Sequence, residues 1–385
     1  MPGDAQTKTN RVLAALEHRE ADRVPVSDFF WTQFINRCKA ELDVGDDFDP
    51  YRYWDLDMVV VNPNMDPHVT GIEVIEDTAE RKVVRTGFGA TIERRSTHPM
   101  PNFLAFETES FEAMEALEFD DPYDPRRYHE ALDDQINSVG DALNLGLPSF
   151  VDRVAAYADD FCVFGSVCEI QEELWRVIGA ENVYYKMAED PDRLAAFIER
   201  LGDFLVGITE AQIEAAGGRL AGLYVWGDVA CTQGMLFSPD YWRRVHKPQL
   251  ARICKAVHAH GLKVIYHGCG NALPIYDDFI EAGIDGYNPL EAKAGLDVVD
   301  LKRQFGDRLA FVGNLDAQVL GTGDEEAVRA EVLHKLNAAR GGGYIPQSDH
   351  SVPGNVAPAT YDLVVRLVRE FGTYPLDLGA MNEAV

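Results

Sequence analysis

The sequence predicts an α/β fold, specifically a closed (β/α)8 TIM barrel, and three observations carry that prediction. Short apolar runs alternate with amphipathic helical segments along the chain. Eight such runs can be counted, and most are separated by a helix. Each ends in polar or turn-forming residues. Alternation of this kind implies right-handed parallel crossovers, and eight units favour a closed barrel over an open doubly wound sheet.

Taken in order, Asn10–Glu20 places Val12, Leu13 and Leu16 on one face, a short helix capped by Thr9 or Asn10. Arg23–Val26 is a brief extended run ending at Ser27 and Asp28, and Met58–Val61 ends at Asn62-Pro63-Asn64. Between Gly71 and His98 apolar and charged residues interleave, which predicts an antiparallel insertion of two to four strands, either a surface decoration or a lid over the barrel mouth. A helical stretch is expected around Arg126–Leu145. The later runs are Phe161–Phe164, Leu220–Val225, Lys263–Tyr266, Asp285–Tyr287, Leu309–Val312 and Gly343–Ile345. The helices between and after them include Tyr241–His260, Leu273–Ala282, Val298–Phe305, Glu325–Arg340 and Ala359–Phe371. No Pro/Ser/Gly tract divides the chain, so residues 1–385 read as a single domain.

Composition narrows the function. A hydrophobic fraction of 46% suits a large soluble core. A formal charge of −29 repels phosphate backbones and argues against nucleic acid as a partner. The polar segment Met1–Arg23 has no long apolar run, which predicts neither a signal peptide nor a membrane span. Six scattered cysteines read as reduced thiols, and the compartment as cytoplasm. No run carries a dinucleotide or P-loop motif.

In such barrels the site lies at the C-terminal ends of the strands. Those ends carry Asp28, Asn62, Asn64, Ser166, Trp226, Asp228, His267, Cys269, Asn288, Glu291, Asn314, Asp316, Asp349 and His350. Helix caps and turns account for about half of them. The stretch Val264–Gly270, V-I-Y-H-G-C-G, survives that discount best. His267 and Cys269 are spaced i and i+2, so they share a strand face, and neither is a favoured cap. Both can bind zinc. A third ligand would come from His350, Asp349, Asp228 or Cys231. A nucleophilic Cys269–His350 pair is a second chemistry open to these residues, without an oxyanion-hole motif to accompany it.

Several segments resemble the uroporphyrinogen decarboxylase superfamily. They are Arg11-Val12-Leu13-Ala14-Ala15-Leu16 with Asp22-Arg23-Val24-Pro25-Val26, then Phe237-Ser238-Pro239 with Tyr241-Trp242 and Pro248. The H-G-C-G turn, Gly283-Ile284-Asp285, Gly306-Asp307-Arg308, Gly313-Asn314-Leu315-Asp316 and Gly342-Gly343-Tyr344-Ile345 continue the likeness to His350. The resemblance implies a (β/α)8 barrel over nearly the whole chain. True decarboxylases of that superfamily carry an R-Q-A-G-R segment after the first strand and an aspartate after the second; this chain has Asp28-Phe29-Phe30-Trp31-Thr32-Gln33 and Asn62-Pro63-Asn64. In the methyltransferase branch the His-x-Cys pair supplies two zinc ligands and a cysteine near the last strand a third; here that region reads Ser348-Asp349-His350.

The resemblance therefore implies a zinc-dependent methyltransferase that moves a methyl group between a small-molecule donor or thiol acceptor and a corrinoid (cobalamin) carried on a partner protein. His267, Cys269 and His350 are the expected metal ligands, and Asp228, Glu291 and His350 the expected catalytic groups. Asn62, Asn64, Trp226, Asn288, Asn314 and Asp316 are expected to line the substrate. Porphyrinogen decarboxylation is the alternative enzyme reading, and a non-catalytic binding barrel the alternative outside enzymes. A homodimer is the default assembly.

Overall fold

The computed structural model describes residues 5–95, 101–134 and 143–378. Seven strands form one sheet whose spatial order is their order in the chain. They are β1 (Met58–Val60), β2 (Cys162–Cys168), β3 (Gly222–Trp226), β4 (Lys263–His267), β5 (Gly286–Asn288), β6 (Ala310–Leu315) and β7 (Tyr344–Ser348). Every neighbouring pair is parallel. All residues of β2, β3, β5, β6 and β7 are buried, as expected of strands covered by helices on one side and by lumen side chains on the other.

The predicted first strand takes the eighth place without joining the ladder. Asp57 N–H donates to the Val26 carbonyl at 2.8 Å, and Ser27 N–H reaches the Pro346 carbonyl of β7 at 3.4 Å. Pro25 has no N–H, and neither has Pro346, whose carbonyl faces this run, so regular pairing fails on both sides of the seam. Side chains hold it instead. The buried Asp57 carboxylate accepts from Val26 N–H at 2.8 Å, pairs with Arg23 at 2.7 Å and reaches Arg11 at 3.1 Å. The result is a (β/α)8 TIM barrel with seven hydrogen-bonded staves and a side-chain-clamped eighth.

Four predicted boundaries change. The insertion is a four-stranded antiparallel sheet over Glu73–Asp77, Lys82–Arg85, Ala90–Arg94 and Asn102–Phe106, longer than expected because Phe103 and Phe106 belong to its core; His98 lies outside the described residues. Of the helix expected at Arg126–Leu145, the described residues form a helix only over Arg126–His129; residues 135–142 lie outside them. Leu132–Asp134 then pairs with Asn144–Leu147, where Leu143, Leu145 and Leu147 repeat every second residue, the strand period. The first helix begins earlier, at Ala5, with Lys8 buried along it and its ammonium on Asp55 at 2.6 Å. Tyr241–His260 is broken at His246 into Pro239–Val245 and Lys247–Ala259, since Pro248 cannot donate to a continuous helix.

Candidate active site

β4 delivers the H-G-C-G turn to the barrel mouth, and each backbone N–H after His267 is tied to a neighbouring strand end. Gly268 donates to the Asn288 carbonyl at 2.8 Å, Cys269 to Asp228 Oδ1 at 2.8 Å and Gly270 to Glu291 Oε2 at 2.9 Å. Gly270 has a φ of +78°, and a Cβ there would lie 2.4 Å from the Cys231 carbonyl carbon, so only glycine fits. The turn is thus fixed before any ligand arrives.

That framework sets the chemistry of His267. The buried Asn288 amide donates Nδ2–H to the Val312 carbonyl at 3.0 Å, which turns its Oδ1 toward His267 Nδ1 at 2.5 Å. An amide oxygen only accepts, so the imidazole carries its proton on Nδ1 and presents a lone pair on Nε2. Nε2 lies 3.6 Å from Cys269 Sγ. Donor atoms of Asp228, His267 and Cys269 fall within 4.8 Å of one another, as do those of Cys269, Glu291 and His350. His350 has the opposite tautomer. Its Nδ1 accepts from Ser351 N–H at 2.9 Å and from Trp31 Nε1–H at 3.3 Å, which leaves the proton of the neutral ring on Nε2.

The electrostatics are those of a site short of positive charge. Burial, with the Glu172 charge adding, lifts Asp228 to about 6. Burial first and Asp228 second push the Cys269 thiol well up. Burial lowers both histidines, against the Asn288 bond at His267 and with the help of His267 at His350. Lys293 neutralises Glu291 alone, at 3.0 Å. An imidazole lone pair, a thiol and the Asp228 carboxyl, crowded together and pushed toward their neutral forms, are a donor set that a divalent cation would suit.

The family model for uroporphyrinogen decarboxylase (URO-D) matches residues 174–371, which takes in β3 to β7 with His267, Cys269 and His350. This chain belongs to the URO-D family. Its curated relatives include uroporphyrinogen decarboxylase of Pseudoalteromonas translucida, 26% identical over 203 residues that make up 50% of this chain and 54% of that protein. Uroporphyrinogen decarboxylase of Methylococcus capsulatus is 28% identical over 188 residues, 48% of this chain and 51% of the relative. The similarity spans about half the length of these relatives. Among solved structures, a methyltransferase from Methanosarcina mazei shares the fold with a TM-score of 0.65 at 17% identity, covering 94% of this chain and 98% of that one.

Elsewhere on this URO-D rim, most of the predicted substrate residues are committed within the protein. Asn62 bonds Ser166 at 2.5 Å and Asp134 at 3.1 Å, and Asn64 Oδ1 accepts from Asp66 N–H and Arg127. Asn314 staples the loop after β5 through Leu290, Leu296 and Val298. Asp316 caps the helix Ala317–Thr322. Asn288 orients His267, as described above. Asp349 accepts from Ala292 and Ala317 N–H, and Cys231 is exposed; neither joins the cluster. Trp226 stays free: its ring lies 5.1 Å from His267, and its Nε1 has no partner among the described residues.

Three contributors to the site escape sequence reasoning. Phe29 sits 5.5 Å from both Tyr224 and Trp226 and builds an aromatic wall beside His267. Trp31 stacks on His350 across the seam at 5.6 Å. Glu172, in the helix Ile170–Ile178, is buried and bonds Trp175 at 2.9 Å and Arg176 at 2.6 Å. Its Gln-Glu-Glu context reads as a solvated helix face, and only the fold reveals otherwise.

Proposed function

We propose that this chain is a zinc-dependent methyltransferase that exchanges a methyl group between a small molecule and a corrinoid carried by a partner protein. The observation that carries this reading is the fixed tautomer of His267, whose Nε2 lone pair faces Cys269 Sγ while Asp228 closes the group. His267, Cys269 and Asp228 would hold zinc, a three-ligand arrangement that keeps a position open. Bound there, zinc supplies Lewis acidity that makes a substrate thiol nucleophilic or polarises a methoxy oxygen.

The chain's own residues take the remaining roles. Asn288 orients His267 through Nδ1, the outer-shell arrangement typical of metal-binding histidines. His350, expected from the sequence as the third ligand, is better suited to donate a hydrogen bond from Nε2–H, because its Nδ1 is occupied twice. Glu291 steadies the turn through Gly270. Trp226 and Phe29 exclude water from one flank of the cluster.

Porphyrinogen decarboxylation is the second reading, favoured by the similarity to uroporphyrinogen decarboxylases. Against it stands the supply of cations. Arg127 and Arg153 donate to backbone carbonyls at the β1 end, Arg176 holds Glu172 and Lys293 holds Glu291. Few are left for a substrate bearing many carboxylates. Elemental analysis of the purified protein and of Cys269→Ala tests the proposal. About one zinc per chain in the former and little in the latter is expected. Turnover of a porphyrinogen by a metal-free preparation would overturn it.

A further inference from the structure

β3 reaches its next helix through an excursion, Gly227–Ser238, that touches the H-G-C-G turn twice. Asp228 Oδ1 accepts from Cys269 N–H at 2.8 Å, and the Cys231 carbonyl accepts from Asn271 N–H at 2.9 Å. Within the excursion Ala230–Cys231 pairs with Gly234–Met235, and Leu236 N–H closes on the Val229 carbonyl at 3.0 Å. A lone hairpin this short is at best marginally stable in water. Its place over the turn must be set from outside.

Both ends of the excursion lead to one residue, Glu169, which follows β2. Glu169 N–H donates to the Trp226 carbonyl at 2.6 Å. A Cβ on Gly227 would lie 2.7 Å from Glu169 Cβ, so the backbone at the start of the excursion rests on this side chain. At the far end, Phe237 packs on the ring of His246 at 5.0 Å and Tyr241 at 5.9 Å. His246 Nδ1 lies 3.4 Å from Glu169 Oε1. Both residues are fully buried, and those two atoms have no hydrogen-bond partner among the described residues. Buried polar groups with nothing else to bond are held to each other, because separating them strands both away from water. The second Glu169 oxygen accepts from Gln171 N–H at 2.6 Å, which fixes the carboxylate to the helix Ile170–Ile178.

We propose that Glu169 and His246 are a positioning pair, which holds the excursion, and Asp228 with it, against the H-G-C-G turn. Glu169 sets where the excursion starts. His246, at the break between the helices Pro239–Val245 and Lys247–Ala259, sets where it ends. Gly227 passes the first constraint on, one residue before Asp228. Its N–H bonds the His267 carbonyl at 2.8 Å, and its carbonyl accepts from the Tyr266 hydroxyl at 2.7 Å. The pair acts through Asp228 and needs no contact with a substrate. That the held Asp228 serves a metal rests on the zinc reading; the hold on the turn does not.

The test follows amide hydrogen exchange at Cys269 and Asn271, in zinc-loaded and in chelator-treated protein, beside the absorption of the cobalt-substituted form. Combining Glu169→Gln with His246→Phe removes the tie without stranding a buried charge. It also keeps an acceptor for Gln171 N–H and a ring against Phe237. In that double variant exchange at the two amides should quicken by about tenfold, while Ala310–Leu315 of β6 stays as protected as in the wild type. Zinc affinity should fall by about tenfold and the cobalt spectrum should shift. His246→Gln, which can still donate to Glu169, should stay close to the wild type. Should the double variant fail to fold, Glu169→Gln alone must show the same local change in smaller degree. Exchange that does not quicken, or that quickens equally in β6, would overturn the inference. An equal loss in His246→Gln counts against it too, since ring shape and not the contact with Glu169 would then set the turn. Local quickening in a protein that holds no zinc even as wild type leaves the positioning pair standing and removes the zinc reading.

Discussion

The β1–β2 and β4–β5 sectors of the barrel rim are built alike, from parallel strands that end in Asn, Ser, Asp, His or Cys, yet they use their polar groups in opposite ways. At β1–β2 the side chains satisfy one another: Asn62 with Ser166 and Asp134, Asn64 with Arg127. At β4–β5 the carboxylates of Asp228 and Glu291 take the backbone N–H groups of the turn, and Asn288 takes one side of His267. That arrangement leaves an imidazole lone pair and a thiol facing each other. A strand-end position in a barrel is therefore a weak sign of function by itself. What matters is whether local hydrogen bonds use up the reactive atoms or leave them exposed to a ligand.

The sharpest way to break this contrast is Cys269→Ala or His267→Ala. Each should cost more than the roughly 10–100-fold in metal affinity typical of an outer-shell change, measured by chelator competition. Asn288→Ala should fall within that roughly 10–100-fold range, and Asn288→Asp should retain metal, because a carboxylate also accepts from Nδ1–H. On the other sector, Asn62→Ala should cost about 1–3 kcal/mol in denaturant unfolding, from the buried Ser166 hydroxyl that loses its acceptor, with metal content unchanged. Loss of metal in that variant would erase the distinction between the sectors.

A smaller effect concerns pH. Asp28 is buried behind Ser348 and accepts its hydroxyl at 2.5 Å, and burial lifts its pKa from 3.8 to about 7. The folded protein then keeps a proton that the unfolded chain releases near pH 4, so this group's contribution to stability falls as pH rises from about 4 to about 7. Asp28→Asn should flatten that slope in denaturant melts taken across the range.

How much of this could be read beforehand follows from the range of each interaction. The strand–helix beat and the H-x-C spacing are local periodicities, and both are visible in the sequence. That some strand-end residues cap helices is visible too, but not which ones: Asp316, expected at the substrate, caps Ala317–Thr322. The role of Asn288 is hidden, since it depends on registering His267 beside it across the β4–β5 ladder. Trp31 and His350 lie at opposite ends of the chain and meet only because the barrel closes. Glu172 is hidden for another reason: burial reverses the usual meaning of a charged residue, and no pattern in its neighbourhood announces it.

The clamped seam also bears on how the molecule is made. Val24 N–H donates to the Gly372 carbonyl and Gly343 N–H to the Ala15 carbonyl, so a segment that precedes β1 is anchored by segments at and beyond β7. On the ribosome β1 to β6 can pair in order as they emerge, but the stave that Asp57 holds has no second neighbour until β7 is made. Trp31 waits, in the same way, for His350. Until β7 is made, the sheet of a growing chain has an edge with no partner, and the mouth lacks His350.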